Sequence, residues 1–110
     1  MAKGRWTLAL SGAAERDFAD IVAWTAENFG PRQADLYARL IEDALEKLGE
    51  EPCAPPSRDR GGDIGAGLRS LHLQRPGRHL ILYKVEDQAV MVLRILHDSM
   101  DVARHVPPGA

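Results

Sequence analysis

Arg94 stands in Val90-Met91-Val92-Leu93-Arg94-Ile95-Leu96, a stretch that is otherwise wholly apolar. An arginine is almost never held in a buried strand without an anion. Either a carboxylate of the chain pairs with it, or it reaches a ligand or partner on an uncovered face. Alternation along the neighbouring strand places Tyr83 on that same face, its ring packed and its hydroxyl free for hydrogen bonding or proton transfer. Four histidines, His72, His79, His97 and His105, lack the tight spacing of metal ligands. His97, Asp101 and His105 recur every four residues, but His97 closes a strand, so no continuous helix aligns them and no metal site is expected. Arg69, Arg75 and Arg78 cluster about one turn. If that turn is more than a solvated one, Arg69 and Arg78 are the residues to meet an anion or RNA. Residues 61–67 are glycine-rich but lack the Lys-Ser/Thr pair of a phosphate loop, and a strand follows rather than a helix. A single cysteine, Cys53, excludes an internal disulfide and a multi-cysteine zinc site. No cofactor is expected.

The elements that position these residues are legible in the periodicity. Residues 6–10 alternate as a short strand, and Ser11 is a helix N-cap whose hydroxyl accepts from the first turn. Ala14, Phe18, Ile21, Val22, Thr25 and Phe29 then form one helical stripe. Gly30-Pro31 punctuates, and a second stripe runs Ala34, Tyr37, Ile41, Ala44, Leu45, Leu48 before Gly49 and Pro52 stop it. So short a connection makes the two helices an antiparallel hairpin. Trp24 lies off the first stripe, Leu36 on the far side of the second and Leu40 on its flank. These three are a candidate partner-binding patch. Residues 51–67, rich in proline and glycine, form a long surface loop.

Three strands follow, at 68–73, 79–86 and 89–97, joined by links too short for anything but antiparallel hairpins. With Pro76-Gly77 at the centre of the first turn and Asp87-Gln88 as the second, Leu71, Leu73, Leu80, Leu82, Met91, Leu93 and Ile95 share one face. The opposite face carries Ser70, His72, Ile81, Tyr83, Val92 and Arg94, with no helix left to cover it. The expectation is a single α+β domain over residues 1–110: an N-terminal strand, an antiparallel two-helix hairpin and a three-stranded antiparallel meander. The helices pack on one face of a four-stranded sheet, and the tail 107–110 is disordered.

The chain has 110 residues, enough for one domain, and 45% of them are hydrophobic. It has no apolar run of the length a membrane helix needs and no signal-peptide core, so a cytoplasmic protein is expected. The formal net charge is -2. Six basic and ten acidic side chains precede Arg58, and eight basic and six acidic ones follow from it onward. That balance lacks the positive field needed to hold many phosphates, so a protein partner is favoured over bare nucleic acid.

Six stretches in the right order resemble one known family. Ser11-Gly12-Ala13-Ala14-Glu15-Arg16-Asp17 is similar to the start of its first helix, and Gly30-Pro31-Arg32-Gln33-Ala34 to its helix junction. Gly67-Leu68-Arg69-Ser70-Leu71 and Gly77-Arg78-His79-Leu80-Ile81-Leu82-Tyr83-Lys84-Val85 resemble its first two meander strands. Val92-Leu93-Arg94-Ile95-Leu96-His97 and Met100-Asp101-Val102-Ala103-Arg104-His105 resemble its C-terminal signature. The family is the ParE branch of the RelE/ParE toxins of type II toxin–antitoxin pairs, and the resemblance spans roughly residues 6–106. It implies a small toxin, neutralised by a ParD-like ribbon-helix-helix antitoxin, that poisons DNA gyrase in the bacterial stress response. It implies no catalytic residues of its own and no sequence-specific nucleic-acid binding by the toxin alone.

RelE-type relatives instead cleave messenger RNA on the ribosome. They usually use a basic cluster with a tyrosine near the C-terminus or a histidine–tyrosine pair. Here residues 100–106 hold no tyrosine. A ribosome-dependent endoribonuclease is therefore the alternative, and an inactive homologue serving as antitoxin partner and corepressor is a third reading. By the resemblance, Arg94, His97, Met100, Val102, Arg104 and His105 are the expected toxicity residues. Trp24, Leu36, Leu40 and Tyr83 are the expected antitoxin contacts.

Overall fold

A computed structural model describes residues 6–107. Its elements are β1 (Thr7–Leu10), α1 (Gly12–Phe29), α2 (Pro31–Glu50), β2 (Arg58–Asp59), β3 (Leu68–His72), β4 (His79–Glu86), β5 (Ala89–His97) and a 3-10 helix (Val102–His105). Ser11 caps α1: its Oγ accepts from the Ala14 N–H at 3.0 Å and donates to the Leu93 carbonyl at 2.8 Å. The cap thereby ties the helix start to β5. Gly30 joins the helices at φ 90°, which a side chain would disfavour. Ala14, Thr25, Ala34, Ile41, Leu45 and Leu48 of the two stripes are buried as expected, whereas Phe29 is 63% exposed.

The sheet runs in the order β1-β5-β4-β3-β2, with β1 parallel to β5 and every other pair antiparallel. The α+β hairpin-on-sheet architecture is as the sequence predicts. The sheet gains a fifth strand because Arg58 and Asp59, inside the expected loop, pair with Ser70 and Arg69.

The face assignment needs correction. The first hairpin turns one residue early. The Arg75–Pro76 peptide is cis, and Gly77 N–H donates to the Gln74 carbonyl at 2.8 Å. Gly77 fits only without a side chain, since a Cβ there would stand 2.6 Å from that of Leu73. Leu80 thus lies opposite His72 instead of Leu73. The second hairpin starts in the expected register, Lys84 opposite Met91, but a bulge at Leu82/Tyr83 then sets Leu82 against Arg94 and Leu80 against Leu96. Because side chains alternate, each slip exchanges faces.

The core under the helices therefore contains Leu71, Leu73, Ile81, Tyr83, Val92 and Ile95. Leu80, Leu82 and Leu93, expected there, belong to a second cluster with Leu68 and Leu96. Met91 is 39% exposed. The second cluster is not open to water: Val102 of the 3-10 helix, Val106 and Ile64 of the loop pack over it. Each buried leucine contributes on the order of 2 kcal/mol, so this short cover stabilises the sheet appreciably. Of the tail expected to be disordered, residues 108–110 lie outside the described residues.

Candidate functional site

Arg94 is answered by the chain itself. Its Nε and Nη2 donate to the two carboxylate oxygens of Asp17 at 2.7 and 2.9 Å, a bidentate pair from β5 to α1. Asp17 Oδ2 also accepts the Ile95 N–H at 2.9 Å. The pairing of β1 with β5 ends at Leu10 and Val92, so past that point a side chain does what the next residue of a strand would do. The expected placement of Arg94 on an uncovered face is thus replaced by an ion pair against α1.

Tyr83, expected at an antitoxin contact, is fully buried. Its hydroxyl meets the Pro52 carbonyl and Ser57 Oγ, so it anchors the loop after α2 from inside the core and presents nothing to a partner. Burial raises its pKa above the ordinary tyrosine value. Arg69 is held by the same Ser57 Oγ, to which its Nε donates at 3.0 Å. Of the C-terminal residues, Val102 is buried in the second core, while Met100 is 44% exposed and Arg104 projects into solvent. Arg104 lies 3.8 Å from Asp101.

Trp24, Leu36 and Leu40 do come together, in an open groove of about 910 Å³ along the helix hairpin. Trp24 is 58% and Leu36 51% exposed. Trp24 meets Phe29 edge-on at a centroid distance of 5.8 Å, and both rings are exposed. Ile21, Thr25 and Tyr37 also line it, together with Asp20 and Gln33.

The groove ends at the sheet, where Arg78, His79 and His97 lie. Tyr37 Oη accepts from the Arg78 N–H at 3.0 Å and shares a proton with His79 Nδ1 across 2.5 Å. With the tyrosine hydroxyl as the donor in that bond, the neutral His79 ring carries its proton on Nε2. Burial, followed by the neighbouring His97, pushes the His79 pKa down to about 4. The His79 and His97 rings meet edge-on at 5.2 Å. His97 Nδ1 is taken by the Ser99 N–H at 3.1 Å, which directs the His97 proton to Nε2 as well. At the same sheet end, Asp98 holds Arg78 at 3.1 Å and His72 at 2.8 Å and lies 3.7 Å from His97 Nδ1. Hydrogen bonds from Arg78 and then His72 hold the Asp98 carboxyl far below the usual range, and the Asp98 bond raises His72. No group of three or more metal-ligating side chains occurs among the described residues.

Residues 8–102 match the family model described as the ParE toxin of the type II toxin–antitoxin system parDE. The chain belongs to the ParE toxin family. Toxin ParE1 of Caulobacter vibrioides is 31% identical over 98 residues, covering 88% of this chain and 94% of the relative. Toxin ParE1 of Mycobacterium tuberculosis matches to the same extent. Among solved structures, the chromosomal ParDE system of P. aeruginosa superposes with a TM-score of 0.72 at 20% identity, covering 86% of this chain and 98% of that one. The RelBE2 toxin–antitoxin complex of M. tuberculosis gives 0.57 at 25% identity, with 84% and 98% covered.

Sequence reasoning found three of the residues in this ParE-family groove through their position off the helical stripes. It missed Phe29, counted as a core residue, and the convergence of Tyr37, His79 and His97. Those three come from α2, β4 and β5, and no short spacing links them. Asp17 was equally silent as the partner of Arg94, 77 positions away.

Proposed function

We propose that this ParE-family toxin acts in the bacterial cytoplasm, in stress response, by inhibiting DNA gyrase. In this reading a ParD-like ribbon-helix-helix antitoxin holds it inactive by laying an apolar segment into the groove of Trp24, Phe29, Leu36 and Leu40. The observation that carries the antitoxin part is the groove itself. A tryptophan, a phenylalanine and a leucine, each at least half exposed, line one concavity. Such a patch in a small domain supports a partner site. The relatives' descriptions as members of toxin–antitoxin systems agree with it.

For the toxic surface, exposed Met100 and Arg104 with neighbouring His97 and His105 are the candidates, since Arg94 and Val102 serve the fold. Trp24→Ala is expected to weaken antitoxin binding by about 2 kcal/mol, the size of an interface anchor. Unchanged affinity by titration calorimetry removes Trp24 from the interface. For the target, purified toxin is tested against gyrase supercoiling, and loss of supercoiling is expected.

A ribosome-dependent endoribonuclease is the second reading, favoured by one observation: Tyr37, His79 and His97 meet at the groove end beside Arg78. These are groups able to move a proton near a phosphate. Cleaved messenger RNA in a translation extract, with supercoiling untouched, replaces the gyrase reading with this one. Antitoxin binding without either activity supports an inactive partner and corepressor.

A further inference from the structure

The groove is asymmetric. Along the hairpin it is apolar, and at the sheet it ends in hydrogen-bond donors. His97 Nδ1 accepts the Ser99 N–H, which leaves Nε2–H on that ring, and His79 carries Nε2–H as well when the Tyr37 hydroxyl donates to its Nδ1. Both rings line the groove, and no acceptor for either Nε2–H is found among the described residues. His79 is not sealed from the groove, since no side-chain polar atom among the described residues is both buried and without a partner. The Arg78 side chain, 66% exposed, adds a guanidinium whose other partner is Asp98. The Asp98 carboxylate is bonded to Arg78 and His72, and its Oδ1 stands 3.7 Å from His97 Nδ1.

A helix laid in the groove meets different chemistry at its two ends. Its N-terminus presents unpaired N–H groups and partial positive charge, which donors repel. Its C-terminus presents unpaired carbonyls and partial negative charge, which donors satisfy. We propose that Arg78, His79 and His97 form an acceptor-binding subsite that fixes the direction of the docked antitoxin helix. The apolar stripe of that helix lies over Trp24, Leu36 and Leu40, and its C-terminal turn, carrying a carboxylate, lies over the three donors. This rests on the groove being the antitoxin site. It adds the partner's polarity and the chemistry of its last turn.

The test uses the full chain and two synthetic helical peptides of about 14 residues, about 21 Å long, with the same leucine stripe. One ends in glutamate with a free carboxylate. The other begins with glutamate and ends in an amide. Titration calorimetry is expected to show the first binding about tenfold more tightly, as charge-assisted hydrogen bonds require. Arg78→Ala and His97→Ala are each expected to abolish that preference, with circular dichroism and melting of each variant showing that the fold is intact. His97→Gln, which keeps a donor, is expected to retain part of the preference. Equal binding of the two peptides, a reversed preference, or a preference that survives both alanine variants overturns the subsite while leaving the groove reading in place. Failure of both peptides to bind the unaltered chain overturns the groove reading with it.

Discussion

Asp17→Ala removes three hydrogen bonds at once: two to the Arg94 guanidinium and one to the Ile95 N–H. Bonds to a charged group are worth about 1.5–3 kcal/mol each at most, and an orphaned backbone N–H costs about 1–3 kcal/mol. The Arg94 side chain is 25% exposed and so regains some hydration when its partner is lost. The expected net destabilisation is about 3 kcal/mol. For a domain of this size that lowers the melting temperature by about 13 °C. Arg94→Ala leaves Asp17 bonded to Ile95 and is expected to cost less, about 2 kcal/mol. Urea unfolding of both single variants and the double variant gives the coupling, expected near 2 kcal/mol because the two residues touch. Additive single effects refute the pairing argument. Loss of toxicity in Arg94→Ala with an unchanged unfolding midpoint refutes the structural assignment of Arg94 and makes it a target contact.

Tyr83→Phe removes the hydroxyl that holds Pro52 and Ser57 and is expected to cost about 1–2 kcal/mol of stability while leaving antitoxin affinity unchanged, checked by paired melting and calorimetry. Burial and His97 lower the folded-state pKa of His79 to about 4, below its unfolded value, so its contribution is present above about pH 6.5 and is lost as the pH falls towards 4. Thermal melts across that window are expected to fall in the unaltered protein and to flatten in His79→Gln. The lowered Asp98 carboxyl acts separately: its contribution is lost at still lower pH, below the usual carboxylate range. Removing residues 100–110 takes Val102 and Val106 off Leu80, Leu82, Leu93 and Leu96, so it is expected to destabilise the domain by about 3 kcal/mol. Such a truncation tests toxicity only after its melting temperature is known, and an unchanged melting temperature refutes the second core.

Local signals carried the fold well. Ser11 caps where a short hydroxyl side chain before an apolar stripe should, and Gly30-Pro31 divides the helices as its backbone preferences require. Trp24 and Leu36 were legible as groove residues because they break the stripes. The face assignment failed for a physical reason. Leu80-Ile81-Leu82-Tyr83 and Val92-Leu93 are apolar at both parities, so hydrophobic alternation cannot report a one-residue slip. The early turn at Gly77 and the bulge at Leu82/Tyr83 are tertiary choices. One follows from the close approach of Leu73, the other accompanies the placing of Arg94 against Asp17. The polar end of the groove was illegible because Tyr37, His79 and His97 meet only after α2 has been laid across the ends of β4 and β5.

The parallel pairing of β1 with β5 orders events during synthesis. Thr7 lies against Ala89 and Leu10 against Val92, so the strand made first is placed against the strand made last. Between them the helix hairpin and the first meander strands emerge, with contacts close enough in sequence to form early. Closing a loop of some eighty residues costs only slightly more than closing one of forty, but it waits for the distant partner to exist. Asp17 and Ser11 have their β5 partners, Arg94, Ile95 and Leu93, on that same late strand. A nascent chain that has not yet extruded β5 therefore lacks the strand on which β1 is paired and keeps only the contacts of that segment with the helices, such as the Trp6 N–H on the Gly49 carbonyl. The C-terminal 3-10 helix, beside which the toxic surface is proposed, is built only after the rest has been translated.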